Sequence, residues 1–471
     1  MKFSPLAASL AFLAAPLTVS AVISSCSPTN RNVVIEDEDD GDEDSDGGGA
    51  GGSDGATGGG SGVSCTNDDQ CVETPDFPIC IDGNCSPCRN DDDCGDGLPF
   101  CSGSGRCVEC ISGDQCDSYV CLDDSSCLDV DEALFALALT GSTDADCGAL
   151  EKPCAFIQDA LPQMTAGRSH LVLVPTNSAF VISSTLTIDQ IFPVVVHGNG
   201  VRMDIWSGGF QVTGADVVLD EFYVHGGGTT SETSLVACTN SKLLVTRGTF
   251  DNSGVGVGAS GCDLRIENSE FTAFGTEGVH ADPSCTGTPE CARVTEIRGS
   301  VFDSMPTAVF ANVPDGLIEN NVFRNCGTGD YNRCLHLYAD GTVVRFNTAV
   351  GSGNCSYTGL FACVGANIVL SSNISFANTE VAGPCYDQVY NSCSSNGNTI
   401  DHALSEAAYP GTGNRTGDPL FVDLATGDYR LQADSPAIDA GNEDNSPDHD
   451  LGGVPRPQGD APDIGAFEYA E

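Results

Sequence analysis

The chain repeats one six-residue pattern in its middle: Val245-Thr-Arg-Gly-Thr-Phe250, Ile266-Glu-Asn-Ser-Glu-Phe271, Ile297-Arg-Gly-Ser-Val-Phe302 and Ile318-Glu-Asn-Asn-Val-Phe323. Each copy places an aliphatic residue five positions before a phenylalanine. The pattern continues less closely with apolar anchors at Val350 and Phe376, so that successive anchors lie about 21 to 31 residues apart. A period of this length is typical of solenoids, in which each repeat stacks on the next.

A second set of segments recurs once per repeat, each with an aliphatic residue and an alanine two positions apart. This period of two predicts strands with one buried face. Together the two sets predict an all-β fold, a single-stranded right-handed parallel β-helix (a solenoid) over residues 166–400. We expect a stacked ladder of side-chain amides along it, from Asn268, Asn320, Asn347 and Asn373. The segments are Val257-Gly-Ala-Ser260, Val279-His-Ala-Asp282, Val309-Phe-Ala-Asn312, Leu337-Tyr-Ala-Asp340 and Val364-Gly-Ala-Asn367.

The N-terminus resembles the export signal of a bacterial lipoprotein. Lys2 precedes a mostly apolar run from Leu6 to Ile23, and the run ends in Ile23-Ser-Ser-Cys26. This layout indicates a signal peptide over residues 1–25 rather than a lasting membrane span. The last four residues resemble a lipobox, which implies that Cys26 is acylated and anchors a secreted protein at the cell outer membrane or cell surface. Ordinary signal cleavage that leaves Cys26 free is the alternative.

Residues 26–64 have the composition of a disordered tether. An acidic run from Glu36 to Asp46 is followed by Gly and Ser with little else, and such a segment cannot bury enough apolar surface to fold. The whole chain has 67 acidic and 18 basic residues, a net charge of −49. This charge excludes nucleic acid as a partner, because phosphate contacts need Lys and Arg. It is compatible with calcium, and no other cofactor is expected.

The 25 cysteines indicate disulfide bonds formed outside the cytosol. Acylation of Cys26 would leave an even number to pair. Residues 65–127 contain three blocks of four cysteines, each opening C-x5-C, and resemble the small cysteine-rich repeats of myxobacterial-type surface proteins. Zinc binding by the joining pairs Cys85/Cys88 and Cys107/Cys110 is the alternative. Four cysteines in a block allow three connectivities, and the sequence does not choose among them.

Residues 128–165 are predicted to join this module to the β-helix and to cap its first rung. Ile157, Ala160 and Leu161 follow the spacing of an amphipathic helix, which would cover the exposed end of the parallel strands. Spacing along the chain also predicts cysteine pairs in and beyond this segment. The pairs are Cys147 with Cys154, Cys238 with Cys262, Cys285 with Cys291, Cys326 with Cys334, Cys355 with Cys363, and Cys385 with Cys393.

Residues 401–471 carry motifs that resemble the C-terminal region of choice-of-anchor Q proteins. The resemblance implies a C-terminal cap region on a secreted bacterial β-helix, and no particular activity. That family often has Asp-Leu-Asp-Gly where this chain has Asp450-Leu-Gly-Gly453, so only Asp448 and Asp450 remain as calcium candidates. The motifs are Asp418-Pro-Leu-Phe421, Asp428-Tyr-Arg-Leu431, Ser435-Pro-Ala-Ile-Asp-Ala-Gly441, Pro455-Arg-Pro457 and Asp463-Ile-Gly-Ala-Phe-Glu-Tyr469.

Charged residues alternate along strands that the repeat places on the surface. They either pair across neighbouring rungs on a solvated face or line a saccharide-binding groove, and the first interpretation is the simpler one. The acidic members are Glu267, Glu296 and Glu319, and the basic members are Arg265, Arg298 and Arg345.

A group of aromatic residues is the candidate ligand face. His280, Phe310, His336 and Tyr338 are predicted to project from the same sheet, where they either stack on sugar rings or form a structural stack of side chains. His197-Gly198 and His225-Gly226 each follow a valine and are interpreted as turns.

These observations predict a lipid-anchored surface protein that serves adhesion or polysaccharide binding without catalysis. No nucleophile elbow, phosphate loop or zinc-protease helix occurs in the sequence, and no catalytic residue is assigned. A polysaccharide lyase or glycoside hydrolase is one alternative, on the precedent of enzymes with this fold, and a purely structural envelope protein is another. The expected partners are the membrane, a polysaccharide or another surface protein.

Overall fold

The structure is a computed structural model that describes most of the chain beyond residue 97. Cys26, the linker and four of the loop cysteines (Cys285, Cys291, Cys355 and Cys385) lie outside the described residues. No helix in the described part is long and apolar enough to cross a membrane. The described residues are 71, 79–81, 84–91, 94, 98–228, 234–283, 294–326, 333–351, 360–376, 390–391, 393–406, 408–444 and 446–470.

Two antiparallel hairpins and a third cysteine block form the N-terminal module. Strand β1 (Ile79–Ile81) pairs with β2 (Asn84–Ser86), and β3 (Phe100–Cys101) pairs with β4 (Cys107–Val108). In the second and third blocks the first cysteine bonds the third and the second bonds the fourth. These sulfurs are therefore not available to zinc. The bonds are Cys88–Cys101, Cys94–Cys107, Cys110–Cys121 and Cys116–Cys127.

Three long parallel sheets make up the body. Sheet A contains β5 (Ala133–Ala136), β6 (His170–Leu173), β9 (Val194–His197), β12 (Asp216–Asp220), β15 (Lys242–Thr246), β18 (Asp263–Glu267), β21 (Thr295–Arg298), β24 (Leu317–Glu319), β27 (Val343–Arg345), β30 (Val369–Ser371) and β33 (Thr399–Asp401). Sheet B contains β7 (Phe180–Ile182), β10 (Arg202–Ile205), β13 (Tyr223–Gly226), β16 (Thr249–Asp251), β19 (Glu270–Thr272), β22 (Val301–Met305), β25 (Val322–Cys326), β28 (Thr348–Gly351), β31 (Ile374–Phe376), β34 (Leu404–Ser405) and β35 (Arg415–Thr416). Sheet C contains β8 (Leu186–Ile188), β11 (Phe210–Thr213), β14 (Ser234–Thr239), β17 (Val255–Ser260), β20 (Glu277–Asp282), β23 (Thr307–Ala311), β26 (Leu335–Leu337), β29 (Phe361–Cys363) and β32 (Tyr390–Asn391).

The chain visits sheets A, B and C in turn, and one such circuit is a rung. From β6 to β34, strands three places apart along the chain therefore pair in parallel, and β5 with β6 and β34 with β35 complete the two ends. This is the topology of a single-stranded parallel β-helix. The predicted fold class, a right-handed parallel β-helix behind a disulfide-rich module, is confirmed.

The phenylalanines of the six-residue pattern form a column in the core. Phe250, Phe271, Phe302 and Phe323 are fully buried, and successive rings stack with centroids 4.9 to 5.2 Å apart. The next members of this column are Ala349 and Ser375, not the predicted anchors Val350 and Phe376. The alignment was wrong by one residue there, and the period of two turned both predicted anchors to the other face.

A ladder of polar side chains runs beside this column. Two of its members lie one residue along the chain from the positions that were predicted. The buried amide of Asn347 hydrogen-bonds Asn321 on one side and Asn373 on the other, each at 3.0 Å. Asn268 and Asn320 were predicted in the ladder, but both have positive φ values and lie in the preceding turn. Their ladder positions belong to Ser269 and Asn321, and Ser300 lies between them: each side chain accepts from the backbone N–H of the preceding rung.

The second predicted set of segments is confirmed for its first three members only. Val309 pairs in register with Leu335, and Ala311 pairs with Leu337, so that the segment beginning at Leu337 was aligned two residues too late. A shift of two keeps the buried face, so this strand was still predicted on the correct side. The segment beginning at Val364 was aligned three residues too late, because Leu335 pairs with Phe361. That odd shift turns the segment to the other face, and Val364 is exposed whereas Phe361 is buried.

The N-terminal end of the β-helix is covered as the sequence predicted. A four-residue helix, α1 (Ile157–Ala160), and the following 3-10 turn bury Ile157, Ala160 and Leu161 against the core. Strand β5 already pairs with β6, so the parallel sheets begin before the predicted boundary at residue 166. Two further 3-10 turns span Gly113–Gln115 and Val130–Glu132.

The C-terminal region covers the side of the β-helix. Strands β36 (Phe421–Asp423) and β37 (Asp428–Leu431) form a hairpin, and the chain beyond it packs on the outer face of sheet B. Ile464 and Ala466 are fully buried there in one cluster with Val350 and Ile374 of sheet B. Apolar residues that point outward from the last strands of sheet B are therefore covered by the C-terminal region.

Two of the described disulfide bonds beyond residue 128 join neighbouring rungs, and two close short loops. The pairs Cys147–Cys154, Cys238–Cys262 and Cys326–Cys334 are formed as predicted. The structure bonds Cys363 to Cys393, so the predicted pairs Cys355 with Cys363 and Cys385 with Cys393 are wrong. The predicted pairs were chosen because their cysteines are close in sequence. Stacking of the rungs brings cysteines that are one rung apart just as close together in space.

Candidate functional site

The four residues predicted as a ligand face lie together on the outer face of sheet C. His280 on β20, Phe310 on β23 and His336 on β26 occupy one register position on three neighbouring strands. The ring of Phe310 stacks on His280, with centroids 4.5 Å apart. Tyr338 directly follows β26, and its ring centroid lies 5.0 Å from that of Phe310 and 4.5 Å from that of His336. These four residues are called the aromatic patch below.

The two histidines of the aromatic patch have pKa values shifted in opposite directions. The Nδ1 atom of His280 lies 2.6 Å from a carboxylate oxygen of Glu277, and this hydrogen bond raises the pKa of His280 against the effect of burial. Burial lowers the pKa of His336, and the positive charge of Arg333 lowers it further. Between these two pKa values the patch holds a charged imidazolium beside a neutral imidazole.

The aromatic patch combines apolar ring surface with polar atoms at its edge. Tyr338 is 40% exposed, while Phe310 is half-buried between its neighbours. The apolar C–H face of a sugar ring can pack on such rings, and its hydroxyl groups can bond the imidazole nitrogens and the phenol. The arrangement therefore offers the apolar and hydrogen-bonding groups with which a saccharide can be bound.

The charged residues of sheet A form cross-rung pairs, as the simpler interpretation predicted. Glu319 accepts a hydrogen bond of 2.6 Å from Nε of Arg345, and its other carboxylate oxygen lies 3.3 Å from Nε of Arg298. Glu296 lies 3.3 Å from Arg298 and 3.6 Å from Arg265. Because each of these two carboxylates is paired with two arginines, this part of sheet A is stabilised by charge pairing.

A polar cluster lies where sheet A meets the third cysteine block. The Nε2 atom of His197 is 3.0 Å from Nδ1 of His170, and its Nδ1 atom is 3.3 Å from Asp220. Arg247 pairs with the same aspartate at 2.6 Å. His197 is buried at the end of β9, and the turn predicted at His197-Gly198 follows it directly. The cleft beside it, about 300 Å³, is lined by residues of the third cysteine block together with His197, Asp220 and Arg247.

A cleft on the outer face of sheet B was not predicted from the sequence. It has a volume of about 360 Å³ and is lined by Arg202, Asp204, Trp206, His225 and Asn252. Trp206 is the only tryptophan of the chain and is 74% exposed. His225 lies within β13 and contacts Asp251, so it does not mark a turn as predicted. Alternation along β10 could have revealed the cleft, because residues 202, 204 and 206 all fall on its outer face.

The calcium candidates do not form a shared site in the structure. Both carboxylate oxygens of Asp450 accept backbone N–H groups, from Val454 at 2.7 Å and from Glu468 at 2.8 Å. Asp450 is buried, whereas Asp448 is exposed. Across the described residues, the groups close enough to share a metal ion consist of cysteines that are already in disulfide bonds.

No family model matches this chain, and no curated protein matches it. Among solved structures, pectate lyase Pel9A is similar with a TM-score of 0.45 and 15% identity, over 72% of this chain and 96% of that one. The tailspike protein of E. coli bacteriophage HK620, solved with a pentasaccharide, has a TM-score of 0.31 and 11% identity, over 55% and 53%. The PL6 family alginate lyase AlyGC has a TM-score of 0.30 and 12% identity, over 66% and 58%. At these identities the likeness concerns architecture and not activity.

Proposed function

We propose that this protein is a cell-surface β-helix that binds a neutral polysaccharide through the aromatic patch without cleaving it. The observation that carries the proposal is the packing of Phe310 against His280, His336 and Tyr338 on three neighbouring strands. Side chains held on strands of a stacked sheet keep a fixed spacing, which favours binding because little conformational entropy is lost.

Charge favours a neutral ligand over an acidic one. The chain carries a net charge of −49, and a polyanionic glycan would approach against that field. Glu277 adds a carboxylate next to the patch. A neutral polysaccharide meets no such repulsion and still offers hydroxyl groups to the histidines.

The proposal includes attachment to the cell surface through an acylated Cys26. The lipobox-like end of the N-terminal apolar run and the acidic, Gly-rich segment after it support this attachment. A flexible tether of that composition would hold the β-helix away from the membrane, where a polysaccharide can reach sheet C. The resemblance of residues 401–471 to choice-of-anchor Q proteins is in keeping with a secreted bacterial origin.

A binding role is favoured over catalysis by the state of the carboxyl groups. A glycosidase needs a carboxylic acid with a raised pKa that faces the substrate. Burial raises the pKa of Asp463 to about 6, but this residue lies within the C-terminal region and accepts N–H groups from Asp439 and Tyr469. It is 2% exposed, so it cannot reach a polysaccharide.

The test measures retention and chain length together. The full chain is mixed with a panel of neutral and acidic polysaccharides, with and without calcium, and bound and free fractions are analysed. We expect retention by at least one neutral polysaccharide, no dependence on calcium and no shortening of the polysaccharide. Shortened chains, or retention by acidic polysaccharides alone, would contradict the proposal.

A double variant locates the binding surface. Phe310→Ala with Tyr338→Ala removes two rings, each worth about 1 kcal/mol in a stacked contact, so affinity should fall at least tenfold. Phe156→Ala is the matched control, because this phenylalanine is 44% exposed near α1 and lies outside the aromatic patch. Equal loss in both variants, with the thermal unfolding of each unchanged, would show that the patch is not the binding surface.

A further inference from the structure

We infer that the cleft around Trp206 is a second saccharide-binding site, which accepts a neutral hexose unit. It lies on sheet B, whereas the aromatic patch lies on sheet C, and no residue is shared between them. The inference extends the proposed function without depending on the patch, because each site can be tested alone.

The indole of Trp206 is left uncovered by its neighbours in the stack. Ile205 is in register with Ile182 on the preceding rung and with Gly226 on the following rung. The residues level with Trp206 are therefore Ser183 and Gly227, two small residues that do not cover the indole. A β-carbon added at Gly227 would lie 3.2 Å from the backbone oxygen of Ile205, so a larger residue at this position would crowd the strand.

Polar groups line the cleft beside this uncovered ring. Asp204 and His225 line the cleft and share one register position on β10 and β13; Asp251 on β16 continues that position beyond the lining and contacts His225. Arg202 donates to Asp204 at 2.6 Å, and Asn252 donates to the backbone oxygen of Gly226 at 3.0 Å. A carboxylate has about four acceptor positions, so Asp204 retains acceptors for sugar hydroxyl groups beyond its bond with Arg202.

The charges around the cleft define the class of sugar. Asp204 already neutralises Arg202, and Asp251 lies next to the cleft against His225, so a uronic acid would add a further negative charge to an acidic surface. A neutral hexose instead offers hydroxyl donors to the carboxylate of Asp204 and an apolar ring face to the indole. A volume of about 360 Å³ falls within the range of small-molecule sites.

The position of the only tryptophan makes this cleft directly observable. Intrinsic fluorescence of the full chain at 295 nm reports on Trp206 alone. Hexasaccharides of β-1,4-glucan, α-1,4-glucan, β-1,4-mannan and α-1,4-galacturonate are titrated separately. We expect at least one neutral hexasaccharide to change the emission saturably and to lower acrylamide quenching at least twofold, and the galacturonate to change neither.

Variants separate this site from the aromatic patch. Asp204→Asn should weaken the fluorescence-detected affinity at least tenfold because Asp204 lines the cleft, whereas Asp303→Asn, four rungs further along the same register position and outside the cleft, should leave it unchanged. The double variant Phe310→Ala with Tyr338→Ala should also leave it unchanged. No emission change with any neutral hexasaccharide, a response to galacturonate alone, or equal effects of Asp204→Asn and Asp303→Asn would overturn the inference.

Discussion

The ring of Phe310 lies parallel to the imidazole of His280, with an interplanar angle of 2° and a centroid separation of 4.5 Å. The two residues are 30 positions apart in the sequence and meet because β20 and β23 pair in parallel register. The stack therefore depends on the length of one rung, including the segment between the two strands. Glu277, the carboxylate that pairs with His280, lies on the same strand as that histidine.

The histidines of the aromatic patch should titrate in a fixed order. Glu277 raises the pKa of His280, while burial and Arg333 lower that of His336, so on acidification His280 should gain its proton first. Two-dimensional NMR of the imidazole C–H signals, assigned with His280→Gln and His336→Gln, measures both midpoints. An equal midpoint for the two residues, or the reverse order, would contradict the described geometry.

These shifts also affect stability in opposite directions. The raised pKa of His280 stabilises the fold below its unfolded value of about 6.5, and this stabilisation is lost as the pH rises through the folded pKa. The lowered pKa of His336 costs stability as the pH falls from about 6.5 through its folded pKa. Replacing Glu277 by Gln should lower the titration midpoint of His280. The lowering of the His336 pKa by burial should persist in this variant.

The polar ladder should be sensitive to loss of one amide. Asn347 accepts from the backbone N–H and the side chain of Asn321 and donates to Asn373, all within the core. Asn347→Ala leaves these groups unpaired and should lower the free energy of unfolding by about 2–4 kcal/mol. Asn347→Ser is the matched control, because Ser300 fills the equivalent position and accepts the N–H of Ser269. The serine variant should lose less than half as much in denaturant unfolding, and equal losses would argue against the ladder.

Sequence periodicity predicted the body of this fold because burial and period are directly linked. The six-residue pattern located rungs correctly where the phenylalanines stack, from Phe250 to Phe323. It failed at Val350 and Phe376, where the core column is filled by smaller residues and the outward residues are apolar as well. Those outward residues are apolar because the C-terminal region covers them. This contact joins residues far apart in the sequence, so a local sequence period cannot reveal it.

The candidate site was predicted only in part for a related reason. The aromatic patch was found because its members occupy recurring segments, although Tyr338 lies just beyond β26 and not within it. The Trp206 cleft combines residues of β10 and β13 with Trp206 and Asn252, and most of them precede the first clear copy of the repeat, which begins at Val245. Alternation places residues 202, 204 and 206 on one face, but without the register nothing in the sequence connects them with His225 and Asn252.

The disulfide pairing provides a direct test of the register. Cys363 ends β29 and bonds Cys393, which places the bond between neighbouring rungs. Digestion with pepsin at acidic pH, which prevents thiol exchange, followed by mass spectrometry should yield a peptide that joins residues 363 and 393. The bonds Cys88–Cys101 and Cys94–Cys107 serve as controls for the digestion. A peptide that joins Cys355 to Cys363 would show that the described register is wrong in this part of sheet C.

A buried arginine should hold the C-terminal region against the β-helix. The side chain of Arg456 is fully buried, bonds Glu468 at 3.0 Å and the backbone oxygen of Gly465 at 2.7 Å, and lies over the ring of Phe346 at 5.0 Å. Phe346 lies between β27 and β28, so this contact links the region to the rungs. Arg456→Met fills a similar volume but leaves the Glu468 carboxylate buried without its partner.

Loss of Arg456 as the partner of Glu468 should lower the free energy of unfolding by about 3–5 kcal/mol. Arg430→Met is the matched control, because Arg430 pairs with Asp428 on the surface at 2.6 Å and exposed pairs contribute about 1 kcal/mol or less. Denaturant unfolding measures both variants, and limited proteolysis tests whether residues beyond 417 become accessible first in the Arg456 variant. Should the two variants lose equal stability, the buried pair would not be what fixes the C-terminal region. Restored stability in the double variant Arg456→Met with Glu468→Gln would assign the loss to the unpaired carboxylate, because the substitution removes that charge and keeps its shape.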